Sequence, residues 1–209
     1  MAVIVDTLES VDNDVTTGTF NAAPGTDIIA AVFSGTADNC DTATYDEDDL
    51  LPAVMTGAAV EVGVNAGVSS TNYICVKNNS TGTGDLLWSI PSFADLELGT
   101  CEPSESSAGD TTCNDGDEGE ASAFVIVRPG LYTGSGTNQS PNCISGSFTA
   151  LDSASTPMPL TNAPIAAGTY CRYEIQAMFP SAASTDTEKA IAQTDTVLFT
   201  IRFHLDDGT

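Results

Sequence analysis

Thr196-Val197-Leu198-Phe199-Thr200-Ile201-Arg202-Phe203-His204-Leu205 decides the fold. Val197, Phe199, Ile201 and Phe203 alternate with Leu198, Thr200, Arg202 and His204, and a period of two marks a strand with one face in a core. Outward from this stretch, comparable segments recur at residues 3–8, 28–34, 59–64, 72–78, 86–90, 121–127, 144–149 and 169–179, bounded by Gly, Pro, Asn, Asp or Ser. Helical periodicity is nearly absent. Short helical pieces are expected only at residues 46–55 and at 182–191, where Thr185-Asp186-Thr187-Glu188 supplies capping side chains. So many strands with Gly- and Pro-rich connections predict an all-β, two-sheet sandwich of jelly-roll type. A chain of 209 residues buries a full core, so residues 11–209 are expected to form a single domain, with 1–10 as a terminal strand.

Charge narrows the partners. Twenty-nine acidic residues against five basic ones give a net charge of −24, although charged residues make up only 16% of the chain. An average globular protein has about 25%, so the imbalance comes from missing lysine and arginine. A surface of this sign repels phosphate backbones and anionic lipid, which argues against nucleic acid and membrane as partners. It attracts cations. Asn114-Asp115-Gly116-Asp117-Glu118-Gly119-Glu120 sets oxygen ligands around turn-forming glycines and loosely resembles a calcium loop. Asp110, Asp115, Asp117, Glu118 and Glu120, with Asp46 and Asp48 elsewhere, are the candidate Ca²⁺ ligands.

Six cysteines, Cys40, Cys75, Cys101, Cys113, Cys143 and Cys171, form an even set with no CxxC pair. With a single histidine, zinc ligation lacks its usual spacing, and disulfides account for the set better. They imply an oxidising, extracellular or cell-surface location. Residues 99–120 would be disordered without a crosslink, and the eleven-residue spacer between Cys101 and Cys113 makes a local bridge easy, giving a stapled acidic loop. Six cysteines allow fifteen pairings. Cys101–Cys113 is the expected local one, with Cys40–Cys75 and Cys143–Cys171 as the remainder. Asn78, Asn79 and Asn138 are N-glycosylation acceptors in turn-like sequence, in keeping with export. No apolar run is long enough to span a membrane. Residues 1–6 lack a basic leader region, so the sequence reads as a mature form.

Catalysis needs a nucleophile with a base, or an acid–base pair in a cleft. His204 sits in an alternating strand, and HExxH, GxSxG, P-loop and GxGxxG motifs are all absent, so no enzyme is expected. Trp88 and Tyr132 leave room for a carbohydrate-binding module. The terminal strand Ala2-Val3-Ile4-Val5-Asp6-Thr7-Leu8 has two readings: it pairs within its own sheet, or it fills a gap in a neighbouring copy.

Four stretches together resemble the TasA/camelysin family of biofilm-fibre proteins, whose relatives include archaeal bundling pili and cannula-type tubes. They are Thr19-Phe20-Asn21-Ala22-Ala23-Pro24-Gly25-Thr26-Asp27, Tyr73-Ile74-Cys75-Val76-Lys77-Asn78-Asn79-Ser80-Thr81-Gly82, the acidic insertion from Cys101 to Cys113 returning through Gly119-Glu120-Ala121-Ser122, and Ala192-Gln193-Thr194-Asp195 leading into the final strand. Thr194 stands where the family has Gly. The resemblance implies a jelly-roll subunit of an extracellular filament, pilus or tube, a homopolymer whose donor residues would be Val3, Ile4, Val5 and Leu8. Val197–Phe203 would help form the acceptor groove. A single jelly-roll viral capsid or decoration protein is the alternative that shares the strand pattern.

Overall fold

The alternating C-terminal stretch becomes the longest-range organiser of a computed structural model that describes residues 4–10, 28–34, 40–45, 68–97, 107, 121–134, 136–178 and 195–206. Nine strands occur among the described residues: β1 (Ile4–Ser10), β2 (Ile28–Ser34), β3 (Val68–Asn78), β4 (Asp85–Glu97), β5 (Ile126–Leu131), β6 (Thr149–Ala150), β7 (Met158–Pro159), β8 (Tyr170–Met178) and β9 (Asp195–Asp206). They form two sheets, one of four strands in the order β1-β9-β4-β7 and one of five in the order β2-β3-β8-β5-β6. Every strand pair is antiparallel. The all-β, two-sheet expectation therefore holds.

The sheets meet through one core. Leu86, Trp88 and Ile90 of β4 and Ile201, Phe203 and Leu205 of β9 pack with Ile74 and Val76 of β3, Val127 of β5 and Tyr173 and Ile175 of β8. Tyr173 and Phe203 carry the contact across the layers, with ring centroids 6.1 Å apart. Tyr173 is fully buried, yet its hydroxyl donates to the Leu160 carbonyl at 2.9 Å, so the polar tip is satisfied within the apolar layer. Burial pushes its phenol well above the ordinary range.

Two strands depart from the sequence expectation for a local reason. Residues 121–127 read as a strand, but Ala121–Phe124 makes a short helical turn and the ladder starts at Ile126, where two β-branched residues take over. Residues 144–149 also read as a strand, and only Thr149 and Ala150 pair. The Ile144 amide instead donates to Leu160 and the Gly146 amide to Pro129, drawing this segment over the core. A Cβ on Gly146 would lie 2.8 Å from Trp88 Nε1, so glycine is what allows the close approach. In β4 the expected strand ended before Pro91, whereas the observed strand runs on to Glu97. The register with β9 shifts between Ser89 and Ser92, and this bulge accommodates the proline without ending the sheet. The expected strand at 59–64 and the helical pieces at 46–55 and 182–191 lie outside the described residues.

Cys143 is bonded to Cys171 of β8 and Cys40 to Cys75 of β3, with Cα–Cα distances of 5.7 and 5.8 Å. Cys101 and Cys113 lie outside the described residues. Cys143 and Cys171 sit in the main core, while Cys40 and Cys75 form a separate buried cluster with Tyr170. The bridges thus pin loops to both faces of the five-stranded sheet. A bridge across a separation of 28 residues restricts the unfolded chain by about 3–4 kcal/mol. Replacing Cys143 and Cys171 together by alanine is expected to lower stability by that amount in denaturant unfolding, and an unchanged midpoint would contradict it.

Candidate assembly edge

β1 lies at one edge of its sheet and pairs with β9 alone among the described strands. Its register sets Ile4 opposite Asp206, Asp6 opposite Leu205, Thr7 opposite His204, Leu8 opposite Phe203, Glu9 opposite Arg202 and Ser10 opposite Ile201. The shift between Ile4 and Asp6 makes Val5 the extra residue of a bulge. Of the four residues singled out in the terminal strand, Ile4, Val5 and Leu8 belong to β1, and Val3 lies outside the described residues.

β9 is the strand that β1 covers. Phe199, Ile201, Phe203 and Leu205 turn one face into the core, as the alternation requires. The opposite face is also largely closed: Thr200 and His204 are each only 4% exposed, so β9 is buried on both faces where one was expected. β4 pairs with β9 along its whole length, whereas β1 pairs only from Ile201 onward. The far half of the β4–β9 ribbon carries a shallow groove lined by Ser92, Phe93, Ala94, Leu198, Phe199 and Thr200, with Phe93 exposed.

The lone histidine has a partner that the sequence did not reveal. Ser89 Oγ and His204 Nε2 lie 2.8 Å apart, both side chains buried, while Nδ1 has no hydrogen-bond partner among the described residues. The two residues are 115 positions apart, and only the β4–β9 register brings them together. Burial, followed by the charge of Arg202, lowers the imidazole pKa to about 4, so it is neutral near pH 7.

Three basic residues are equally committed. Arg172 is 1% exposed and packs against the rings of both Tyr73 and Tyr132, its Cζ 4.6 and 4.4 Å from their centroids. Lys77 sits over Tyr45 at 5.1 Å and Arg128 over Phe148 at 4.2 Å. Three of the five cations therefore rest on aromatic rings. Trp88 is fully buried, and Tyr132 packs at a tilt against Tyr73 and beside Arg172, so each has a packing role.

Every candidate Ca²⁺ ligand, Asp46, Asp48, Asp110, Asp115, Asp117, Glu118 and Glu120, lies outside the described residues. Among the described residues no group of three or more His, Cys, Asp or Glu side chains is placed to hold a metal. No helix among them is long and apolar enough to cross a membrane.

No family model, curated protein or solved structure matches the chain.

His204 predicts a pH dependence. Its folded pKa of about 4 lies below the ordinary 6.5, so the unfolded chain binds the proton first. Its contribution is present above about pH 6.5 and is lost as pH falls toward 4. Stability is expected to drop by about 3 kcal/mol over that window. Unfolding midpoints measured across it should lose this slope in His204→Gln, and an equal slope in both proteins would refute the assignment.

Proposed function

We propose that the chain is a structural subunit of an extracellular filament, pilus or tube, and that it assembles by passing β1 to the β9 edge of the next copy. The observation that carries this reading is the edge placement of β1, which covers one side of a strand whose inward residues, Ile201, Phe203 and Leu205, are all buried. A terminal edge strand can leave its sheet without breaking any other ladder. The same six register positions then form between two chains instead of within one. Each copy both gives and receives, so the contact is heterologous and propagates without closing.

The proposed fold type is the jelly roll. With β2 set aside as an additional outer strand, the remaining eight run as 1-8-3-6 in one sheet and 2-7-4-5 in the other. That alternation between layers supports a winding of two Greek keys. It equally suits the second reading, a capsid or decoration protein, which would also assemble from copies of itself.

Two buried disulfides support an oxidising location. A structural role in place of catalysis is supported by the closed Ser89–His204 pair: both groups are buried, with no open face toward a substrate among the described residues. A charge of −24 on every copy makes cations part of the proposal, with Ca²⁺ at the acidic loops the candidate counter-ion.

Electron microscopy of the chain with and without residues 1–10 tests the reading. Filaments are expected from the full chain and not from the truncated one, and filaments that persist after truncation would overturn it. A synthetic peptide of residues 1–10 guards against simple misfolding: added in excess, it is expected to raise the melting temperature of the truncated chain by several degrees without restoring filaments.

A further inference from the structure

The overlapping acceptors in Asn78-Asn79-Ser80-Thr81, and the third in Asn138-Gln139-Ser140, are sequence features that assembly leaves unused. The three asparagines differ in burial: Asn78 is buried, whereas Asn79 and Asn138 are exposed. Asn78 is 1% exposed, and its Nδ2 donates to the carbonyls of Gly82 and Ile165, each at 3.0 Å. An amide nitrogen has two hydrogens, so both are spent. Its Oδ1 accepts from the Ser80 amide at 2.9 Å and the Ser80 hydroxyl at 2.7 Å. The backbone is held as well, since the Asn78 amide donates to Thr169 and its carbonyl accepts from Gly168. Asn78 is therefore the clamp that fastens the β3–β4 turn to the 165–169 segment. Attaching a sugar would remove one Nδ2 hydrogen, break one of these two bonds and force a buried side chain out of its site.

Asn138 is exposed but occupied: its Nδ2 donates to Asp41 Oδ1 at 3.0 Å. The same carboxylate accepts from the Thr137 amide and hydroxyl and from the Asn138 amide. These bonds, the Thr137 amide foremost, hold Asp41 below the usual carboxylate range. Ser140, the hydroxyl residue of its acceptor tripeptide, is buried. Asn79 is exposed, follows the last residue of β3 and precedes β4, so its modification breaks no ladder. Thr81, the hydroxyl residue of its acceptor tripeptide, is exposed too.

We propose that Asn79 is the N-glycosylation site of the folded chain, with Asn78 excluded and Asn138 secondary. The co-substrate is an oligosaccharide carried on a lipid pyrophosphate. Asn79 Nδ2 forms a bond to the anomeric carbon, the bond from that carbon to the pyrophosphate oxygen breaks, Nδ2 gives up one proton, and the lipid pyrophosphate leaves with the electron pair. The assignment is independent of how the subunit assembles.

The test presents the folded, disulfide-intact chain and the reduced, denatured chain to a purified single-subunit oligosaccharyltransferase with its lipid-linked glycan, and reads occupancy by peptide mass spectrometry. In the folded chain, Asn79 is expected to carry the glycan and Asn138 to carry less. Asn79→Gln keeps the Asn78 acceptor tripeptide intact. In that variant, transfer to Asn78 is expected in the denatured chain and roughly tenfold or more lower in the folded one, because a buried hydrogen bond must break first. Equal transfer to Asn78 in both states, Asn138 occupancy above that of Asn79, or an unmodified Asn79 in the folded chain would each overturn the proposal.

Discussion

β9 is the strand on which the rest depends. It is hydrogen-bonded to β4 along its length and to β1 over its C-terminal half, and Phe203 meets Tyr173 of the opposite sheet. A strand buried on both faces contributes little if its ladder is incomplete, because an unpaired backbone amide or carbonyl away from water costs as much as a lost hydrogen bond. The edge beside Ile201–Asp206 therefore needs a strand, and what matters energetically is that one is present, not which chain supplies it.

This equivalence sets the terms of the proposed assembly. Within one chain β1 is tethered near its site at an effective concentration on the order of millimolar, so an isolated subunit closes on itself, as observed. Exchange gains little energy from the ladder, since the same pairs are broken and remade. It must draw on local concentration, on a growing end, or on contacts between subunits. Charge opposes it. At −24 per copy, and with Lys77, Arg128 and Arg172 resting on aromatic rings, like-charged subunits repel. Salt shortens that repulsion to about 8 Å at physiological ionic strength, so the proposed assembly would be coupled to the cations around it.

Much of the fold was legible because one-sided burial leaves a period of two, and β2, β3, β8 and β9 all stand close to where the pattern put them. The misses share a cause. Residues 144–149 have strand-like composition, yet Gly146 lets them lie flat against Trp88 and their amides bond elsewhere. Pro91 reads as a stop because a proline has no amide to give, and a bulge between strands leaves no trace in composition. The site was legible in part. The apolar terminus pointed to β1, but neither its neighbour nor its register could be read locally, because pairing Leu8 with Phe203 depends on the whole winding of the chain. The Ser89–His204 contact and the different burial of Asn78 and Asn79 were hidden for the same reason: they follow from tertiary placement, not from the tripeptide or the strand pattern.

The most direct measurement asks which chain supplies the strand beside β9. Glu9 and Arg202 face each other in the register, so Glu9→Cys in one preparation and Arg202→Cys in another place the two thiols on different chains. After the two are mixed under assembly conditions and mildly oxidised, strand exchange predicts a disulfide-linked dimer of one variant with the other on a non-reducing gel, rising with filament mass. Filaments that form from the mixture with no such dimer would show that β1 stays in its own sheet, and would contradict strand exchange as the means of assembly.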